Sequence, residues 1–593
     1  MFRPRDGRSR RPSIGAALCA SAMLAATAGC SGSTPPETEA AAQATDSNPN
    51  ILMVLLDDLG YTDIGAYGGM ISTPTMDSLA EEGAQFTNFH ANPLCAPTRA
   101  ALMTGQDPHR VGLGSMEGLI APGVTTDTPG YKGSLEGEYT GIAELLSDAD
   151  YNTYQAGKWH LGMAPEQSPQ ALGFDQNFSL LQGGGSHYAD ALRLVPAKQG
   201  PMDTVTYERN GEPVTDLLED FYSTDAYTDE MLGMIDSGAE DDRPFFGYLA
   251  YTAPHDPLHE PDTALIQKYL DMYEGNNDFE QLRVDRISDL ADRGLIDADV
   301  ATRWPSQTPD WDTLTDEQKR DLAYRLAVYS AMIEHVDTQF GRIVDRLKET
   351  GEYDNTLIVL ASDNGASGLS PDVYTQTPGA REWLEEHYPL IGNVDSYGEP
   401  GSFPVLALAN AQVSSGPFFH TKASVFEGGT RAPMIVKAPG GSEQDGPRIV
   451  DTLSYIGDLY PTFADYAGAS LVNPDVLIGD SAKPLLEGTS ETIGDEVFGI
   501  EMFGERAIRD GNSKLVFAAP DNGGTGTWAL YDLATDPGET TDLAADNPDE
   551  VQRLADLWDQ YASENNVIAA DFEAVNAAGV KSAQIYNAPD WAE

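Results

Sequence analysis

The stretch Asn50-Ile51-Leu52-Met53-Val54-Leu55-Leu56-Asp57-Asp58-Leu59-Gly60 is a short apolar run that ends in two neighbouring carboxylates. A continuous apolar run of this length favours a strand buried on both faces, as in a parallel sheet. Further runs of this kind, with helical patterns between them, cover residues 151–156, 245–251, 357–361 and 433–437. The alternation predicts an α/β fold whose large domain is a mostly parallel, doubly wound sheet flanked by helices.

Polar side chains follow these predicted strands at the points where the strands end. In open α/β sheets the ligand crevice lies beyond the carboxyl ends of the strands, so we expect these side chains to share one site. In chain order they are Asp57 and Asp58, Lys158 and His160, His255, and then Asp363 and Asn364.

Two of these groups have the chemistry of a metal site. Asp57 and Asp58 are adjacent carboxylates, which repel each other unless a cation or a proton joins them. Asp363 and Asn364 would add two oxygen ligands from a facing strand. An all-oxygen set suits Ca²⁺ or Mg²⁺ better than zinc, although either pair alone is also common in a turn or a helix cap.

A further candidate site residue is Cys95, in the stretch Leu94-Cys95-Ala96-Pro97-Thr98-Arg99. Pro97 suits the first turn of a helix, so Cys95 is predicted at a helix start. The positive end of the helix dipole favours an anion there, and Arg99 adds a fixed charge one turn further on. The geometry suits sulfate or phosphate; the alternative is a buried thiol that only packs.

The composition limits the classes of partner. The 593 residues carry a formal net charge of −59, which disfavours binding to nucleic acid or to an anionic membrane surface. The acidic residues are spread along the chain, which is typical of solubility in salty surroundings. Of the three cysteines, Cys19 and Cys30 fall in a predicted signal segment, so Cys95 is expected to have no disulfide partner.

The N-terminus indicates export. Residues 1–30 run from basic to apolar, as an export signal does, and Arg10-Arg11 suggests the twin-arginine route. Ala28-Gly29-Cys30 resembles a lipoprotein attachment site, while ordinary cleavage nearby is the alternative. Residues 31–49 are expected to be a flexible linker. We expect a bacterial protein that is periplasmic or anchored in the cell envelope by an N-terminal lipid.

The pattern Cys-x-Pro-x-Arg, followed by Thr104-Gly105, resembles the signature of the type I sulfatases, members of the alkaline-phosphatase-like superfamily. The resemblance covers about residues 50–567, and two local segments are most similar to the bacterial arylsulfatase branch. The matching segments are residues 50–60, Gly157-Lys158-Trp159-His160-Leu161-Gly162, Ala253-Pro254-His255-Asp256-Pro257-Leu258, Asp363-Asn364-Gly365, Lys422 with residues 426–433, and the two arylsulfatase-like segments 109–116 and 503–509.

The resemblance implies hydrolysis of a sulfate ester to an alcohol or phenol plus inorganic sulfate. It implies that a maturation enzyme oxidises Cys95 to formylglycine, whose hydrate is the nucleophile. One divalent cation, Ca²⁺ with Mg²⁺ as the alternative, would be held by Asp57, Asp58, residue 95, Asp363 and Asn364. The resemblance also implies that Arg99, Lys158 and His160 hold and polarise the formylglycine. His255 and Lys422 would bind the sulfate oxygens. His255 would also protonate the leaving alcohol, and Asp363 would take the proton of the attacking hydroxyl.

The change of sequence pattern after Val472 predicts a division into domains. A catalytic α/β domain is expected over residues 50–472 and a smaller C-terminal α+β lobe, with a short antiparallel sheet, over 473–593. The elements predicted for these parts are helices over 317–348, 449–467 and 547–562, and strands over 505–518 and 528–533.

Alternatives remain at this stage. A phosphonate monoester or phosphodiester hydrolase shares the fold and the cysteine signature. Other classes are a surface lipoprotein that only binds sulfated glycans and a thiol hydrolase that uses Cys95 directly. The substrate, a small-molecule or carbohydrate sulfate ester, is not specified. Structural roles are expected for His90, His109, His187, His259, His335, His387 and His420.

Overall fold

The computed structural model of the chain describes residues 48–116, 124–125, 127–196, 203–239, 241–273, 275–276, 278–370, 374, 379–440, 448–494 and 497–568. The predicted export signal and nearly all of the predicted linker lie outside these residues. The strands are β1 (Asn50–Leu56), β2 (Ala84–Phe86), β3 (Phe89–His90), β4 (Asn152–Lys158), β5 (Gln176–Leu180), β6 (Tyr207–Arg209), β7 (Glu212–Val214), β8 (Phe245–Ala250), β9 (Thr356–Ser362), β10 (Met434–Lys437), β11 (Arg448–Val450), β12 (Ser454–Tyr455), β13 (Val497–Met502), β14 (Glu505–Asp510), β15 (Ser513–Phe517) and β16 (Trp528–Asp532). The helices are α1 (Pro74–Glu82), α2 (Cys95–Thr104), α3 (Ile142–Asp148), α4 (Ser223–Gly238), α5 (Thr263–Tyr273), α6 (Phe279–Asp292), α7 (Asp316–Thr350), α8 (Ala380–His387), α9 (Leu408–Ser414), α10 (Glu427–Thr430), α11 (Leu459–Ala467), α12 (Lys483–Leu486) and α13 (Pro548–Glu564).

Ten of these strands form one sheet, in the order β11-β2-β10-β9-β1-β8-β4-β5-β6-β7. The central strands β9, β1, β8, β4 and β5 are parallel to their neighbours in that series. The predicted α/β class with a mostly parallel sheet is therefore confirmed. Neighbouring parallel strands end at one edge, and this brings the segments after β9, β1, β8 and β4 together.

Strand β1 shows why the sheet needs helices on both faces. Its alternate residues enter two separate cores, because successive side chains of a strand point to opposite faces. Leu52, Val54 and Leu56 pack in a core that includes much of α7. Ile51, Met53 and Leu55 pack in a second core, which includes residues of α2, α3 and α11.

The C-terminal part contains a second sheet, which is antiparallel in the order β13-β14-β15-β16. One face packs against Leu554 and Trp558 of α13. The other face contributes to a core that includes Phe419 and Phe426, close in sequence to Lys422. The small antiparallel sheet was expected, whereas the boundary between 472 and 473 remains a prediction.

Several predicted elements differ from the structure. Strand β10 is antiparallel to both β9 and β2, so the fifth apolar run does not extend the parallel series. Residues 449–467 are not one helix: β11 and β12 occupy the first part, and only α11 is α-helical. Residues 505–518 form the hairpin β14–β15, and β13 was not predicted. Within the described residues, no helix combines the length and apolar character needed to cross a membrane.

Candidate active site

The ends of four neighbouring strands supply most of the candidate site. Asp57 and Asp58 follow β1, and Asp363 and Asn364 follow β9, its partner on one side. His255 lies five residues beyond the end of β8, the partner of β1 on the other side, and Lys158 is the last residue of β4. All of these side chains are buried.

The oxygen-rich part of the site comes from β1 and β9. The Asp58 backbone N–H donates to Asp363 Oδ1 at 3.3 Å, and Asn364 Nδ2 donates to Asp58 Oδ1 at 2.6 Å. Asp57 Oδ1, Asp58 Oδ2 and Asn364 Oδ1 are buried and have no hydrogen-bond donor among the described residues. Leaving buried acceptors unpaired is costly, and a cation bound among them would supply the missing partner.

The cysteine sulfur lies beside this oxygen cluster. One ligand atom each from Asp57, Cys95 and Asp363 lie within 4.8 Å of one another, and the same holds for Asp57, Asp58 and His255. Carboxylate and amide oxygens are the ligands that Ca²⁺ and Mg²⁺ prefer. The donor set therefore fits a hard divalent cation in contact with the side chain at position 95.

Three buried cations balance the three carboxylates. Arg99 donates twice to Asp363 Oδ2, from Nη2 at 2.7 Å and from Nε at 3.1 Å. Lys158 Nζ donates to Asp57 Oδ2, and Lys422 Nζ donates to Asp58 Oδ1 at 2.6 Å. Burial alone would lower the pKa of Lys422, but the combined negative charge around it, that of Asp58 foremost, raises the pKa above its usual value.

Cys95 is the first residue of α2, and the extended backbone of Leu94 precedes it. Its Sγ lies 3.3 Å from His160 Nδ1. Burial raises the pKa of the Cys95 thiol, although Lys158 and Lys422 act in the opposite direction.

The imidazole of His255 faces the carboxylate of Asp58. Its Nδ1 donates to the Asp256 carbonyl at 2.6 Å, so the other nitrogen, Nε2, faces Asp58 Oδ2 at 3.7 Å. Burial and the charge of Lys422 lower the pKa of His255 well below its usual value. For His160, burial and the charge of Lys158 have the same effect on the pKa.

Sequence reasoning missed several residues that contact this site. Tyr248 lies within β8, and its hydroxyl accepts a hydrogen bond from Arg99 Nη1 at 3.3 Å. Asp256 accepts a hydrogen bond from the Tyr374 hydroxyl at 2.6 Å. Burial, and then the charge of Asp58, raise the pKa of Asp256 to about 7. Asp256 follows His255 directly, so its position was the one available signal.

Two of the histidines with predicted structural roles, His109 and His259, have partners outside the groups described above. His109 contacts Asp107 and Glu501 at 2.9 and 3.2 Å. His259 Nε2 donates to the Ser402 carbonyl at 2.9 Å. These partners are compatible with the structural roles predicted from the sequence.

Comparison with known proteins points to one family. The family described as Sulfatase matches residues 49–469. An uncharacterised sulfatase of Schizosaccharomyces pombe is 36% identical over 564 residues, which cover 91% of this chain and 99% of the relative. An arylsulfatase of Klebsiella aerogenes is 34% identical over 450 residues, which cover 75% of this chain and 90% of the relative. The solved structure of Ps i-CgsB in complex with k-i-k-neocarrahexaose has a TM-score of 0.62 and 25% identity, over 90% of this chain and 97% of that chain.

Proposed function

The chain belongs to the sulfatase family and is a sulfuric ester hydrolase, and from this premise we propose how its own residues carry out the reaction. The observation that carries the proposal is the group of unpaired buried oxygens beside Cys95, namely Asp57 Oδ1, Asp58 Oδ2 and Asn364 Oδ1. A cation would supply the missing partner, and Cys95, the residue proposed to be oxidised, lies beside Asp57 and Asp363.

The cation is proposed to be Ca²⁺, with Mg²⁺ as the alternative. Asp57, Asp58, Asp363, Asn364 and the side chain at position 95 would hold it. Ca²⁺ accepts a crowded set of carboxylate and amide oxygens, whereas Mg²⁺ demands stricter octahedral geometry and keeps more water. When bound, the metal would supply positive charge that stabilises the anionic sulfate group in the transition state.

Cys95 is proposed to become formylglycine through a separate maturation enzyme. The family implies this modification in general, and Cys95 lies beside two of the carboxylates that would hold the metal. The hydrated aldehyde would supply an oxygen nucleophile and a second hydroxyl through which sulfate is released by C–O cleavage. His160, in contact with the Cys95 sulfur, would bind that second hydroxyl.

The surrounding side chains have distinct proposed roles. Arg99 orients Asp363 through two hydrogen bonds, so the carboxylate can take the proton of the attacking hydroxyl. Lys158 and Lys422, each bonded to a carboxylate of the metal cluster, are placed to bind sulfate oxygens. His255 would give a proton from Nε2 to the alcohol oxygen as its bond to sulfur breaks; the negative charge of the bound ester would favour the protonated ring that this step requires. Each of these groups acts on charge that develops in the transition state.

The natural substrate is proposed to be a small-molecule or carbohydrate sulfate ester. The Klebsiella aerogenes relative is an arylsulfatase, whereas the solved Ps i-CgsB structure holds an oligosaccharide.

We further propose that the chain is exported to the bacterial periplasm or envelope. A Cys30→Ser variant would separate the two options: release from the membrane fraction supports a lipid anchor, and unchanged fractionation supports ordinary cleavage.

Turnover of matched substrates tests the proposed ester class. An aryl sulfate and an aryl phosphodiester with the same leaving group should be compared, and we expect the sulfate to have the higher kcat/KM. A strong preference for the phosphodiester would overturn the assignment. Cys95→Ala should abolish turnover of both esters without loss of the fold, which circular dichroism and thermal unfolding would verify.

A further inference from the structure

His255 is held through its backbone as well as through its ring. The carbonyl oxygen of His255 accepts a hydrogen bond from His187 Nε2 at 3.1 Å. The two residues are 68 positions apart in the chain, and both are buried, with 5% of His255 and 1% of His187 exposed. The contact therefore ties the His255 loop to a segment outside that loop.

The hydrogen-bond pattern fixes the tautomer of His187. A carbonyl oxygen can only accept, so Nε2 of His187 must carry a proton. The other nitrogen, Nδ1, lies 2.7 Å from the Ser223 hydroxyl. Because burial lowers the pKa of His187 to about 3, the ring is neutral and Nδ1 accepts from Ser223. The result is a chain of hydrogen bonds from Ser223 through His187 to the His255 carbonyl.

Ser223 connects this series of hydrogen bonds to a helix. It is the first residue of α4, and its backbone N–H donates to the His187 carbonyl at 2.9 Å. Ser223 and His187 are therefore joined by a backbone bond and a side-chain bond. The Tyr222 hydroxyl, next to Ser223, donates to the His259 carbonyl at 2.8 Å and fixes the far end of the same loop. The start of α4 thus holds both ends of the segment 255–259.

We propose that His187, oriented by Ser223, is a positioning residue that sets the His255 imidazole for proton transfer to the leaving alcohol. The inference rests on the proposed role of His255. His187 touches no reacting atom in this arrangement, and it acts by fixing the backbone from which the His255 ring projects. A displacement of about 1 Å of a catalytic group can cost up to about 100-fold in rate.

The dependence of rate on the leaving group separates positioning from a general structural role. A good leaving group such as 4-nitrophenolate needs little protonation, whereas a poor one such as an alkoxide depends on it. In His187→Leu, which cannot donate to the carbonyl, we expect kcat/KM for 4-nitrophenyl sulfate to change little. For an alkyl sulfate we expect a loss of up to about 100-fold. His187→Gln, whose side-chain amide can donate, should restore most of the lost activity.

Two reference variants make the outcomes distinct. His255→Ala should show the same leaving-group dependence more strongly; if it does not, the proposed role of His255 fails. If His255→Ala behaves as expected but His187→Leu slows all substrates equally, or slows none, the positioning role of His187 is wrong. His109→Gln removes an equally buried histidine with partners elsewhere, so it should lower stability without changing the leaving-group dependence.

Discussion

Lys422 Nζ donates a 2.6 Å hydrogen bond to Asp58 Oδ1, across a separation of 364 residues in the chain. Asn364 Nδ2 donates to the same oxygen, also at 2.6 Å. Asp58 Oδ2 has no donor among the described residues. In the Asp58 carboxylate, Oδ1 therefore accepts hydrogen bonds from Lys422 and Asn364, whereas Oδ2 remains available to the proposed metal ion.

Substitution of Lys422 by methionine should separate metal binding from turnover. Once the Lys422 ammonium group is removed, it no longer competes with a metal ion for Asp58, so the affinity for Ca²⁺ should be unchanged or higher. Turnover should fall by about 100-fold or more, because a cation that stabilises the transition state is lost. Isothermal titration with Ca²⁺ and kcat for an aryl sulfate would measure the two effects.

Lys437→Met is the matched control for that variant. Lys437 is also buried, and its Nζ donates to the carbonyls of Tyr353 and Thr356, so its loss should lower stability and leave kcat close to the wild-type value. Loss of Ca²⁺ binding in Lys422→Met, at normal stability, would contradict the expectation that Lys422 and the cation compete for Asp58.

Chelation should destabilise the fold through the same oxygen cluster. Without a cation, three buried acceptors lack a partner, and a ligand at 100 times its Kd stabilises the native state by about 2.7 kcal/mol. The Tm of chelator-treated protein should therefore rise on addition of Ca²⁺. Asn364→Leu should reduce that rise. Identical Tm values with and without Ca²⁺ and Mg²⁺ would show that the cluster binds neither ion.

His109 and His335 each contact two carboxylates, and these contacts predict that the protein becomes less stable in alkaline solution. Burial lowers the pKa of His109 and His335, but carboxylate neighbours outweigh it and raise the values to about 9 and about 10. A raised folded-state pKa contributes stability that is complete below the unfolded value near 6.5 and disappears as pH rises through 9 to 10. In the double variant His109→Gln/His335→Gln, the fall in unfolding free energy between pH 7 and 10 should be shallower, as measured by urea denaturation at each pH. If unfolding free energy depends on pH in the double variant as it does in the wild type, the two histidines do not contribute as predicted.

The C-terminal sheet is joined to helix α10 by a buried ion cluster. Lys514 Nζ lies 2.8 Å from Glu427 Oε1 and 2.9 Å from Glu539 Oε1. Lys514→Met would leave both carboxylates buried without this cation, which should cost about 3–5 kcal/mol of unfolding free energy. Arg553→Met, which breaks exposed pairs with Asp510 and Glu550, should cost no more than about 1 kcal/mol. Chemical denaturation would compare the two, and equal losses would contradict the prediction.

The central strands could be predicted from the sequence because burial on both faces produces continuous apolar runs. The residues after those runs then follow from the topology of a parallel sheet, which is why Asp57, Asp58, Asp363 and Asn364 could be grouped before any coordinates. The antiparallel direction of β10 could not be predicted, since an apolar run carries no information about strand direction.

Other features depend on contacts between distant segments. Tyr248 lies inside a strand and is indistinguishable in the sequence from a core aromatic, yet its hydroxyl contacts Arg99. Residues 449–467 carry an apolar pattern that suits a helix, but pairing with β2 and β3 draws the first part into β11 and β12. Tertiary pairing overrides local preference in such short segments.

Mass spectrometry of the peptide that contains residue 95, from active protein made in its native host, tests the central claim most directly. The account predicts an aldehyde or its hydrate in place of the Cys95 thiol, in proportion to the specific activity of each preparation. An unmodified thiol in fully active protein would contradict it.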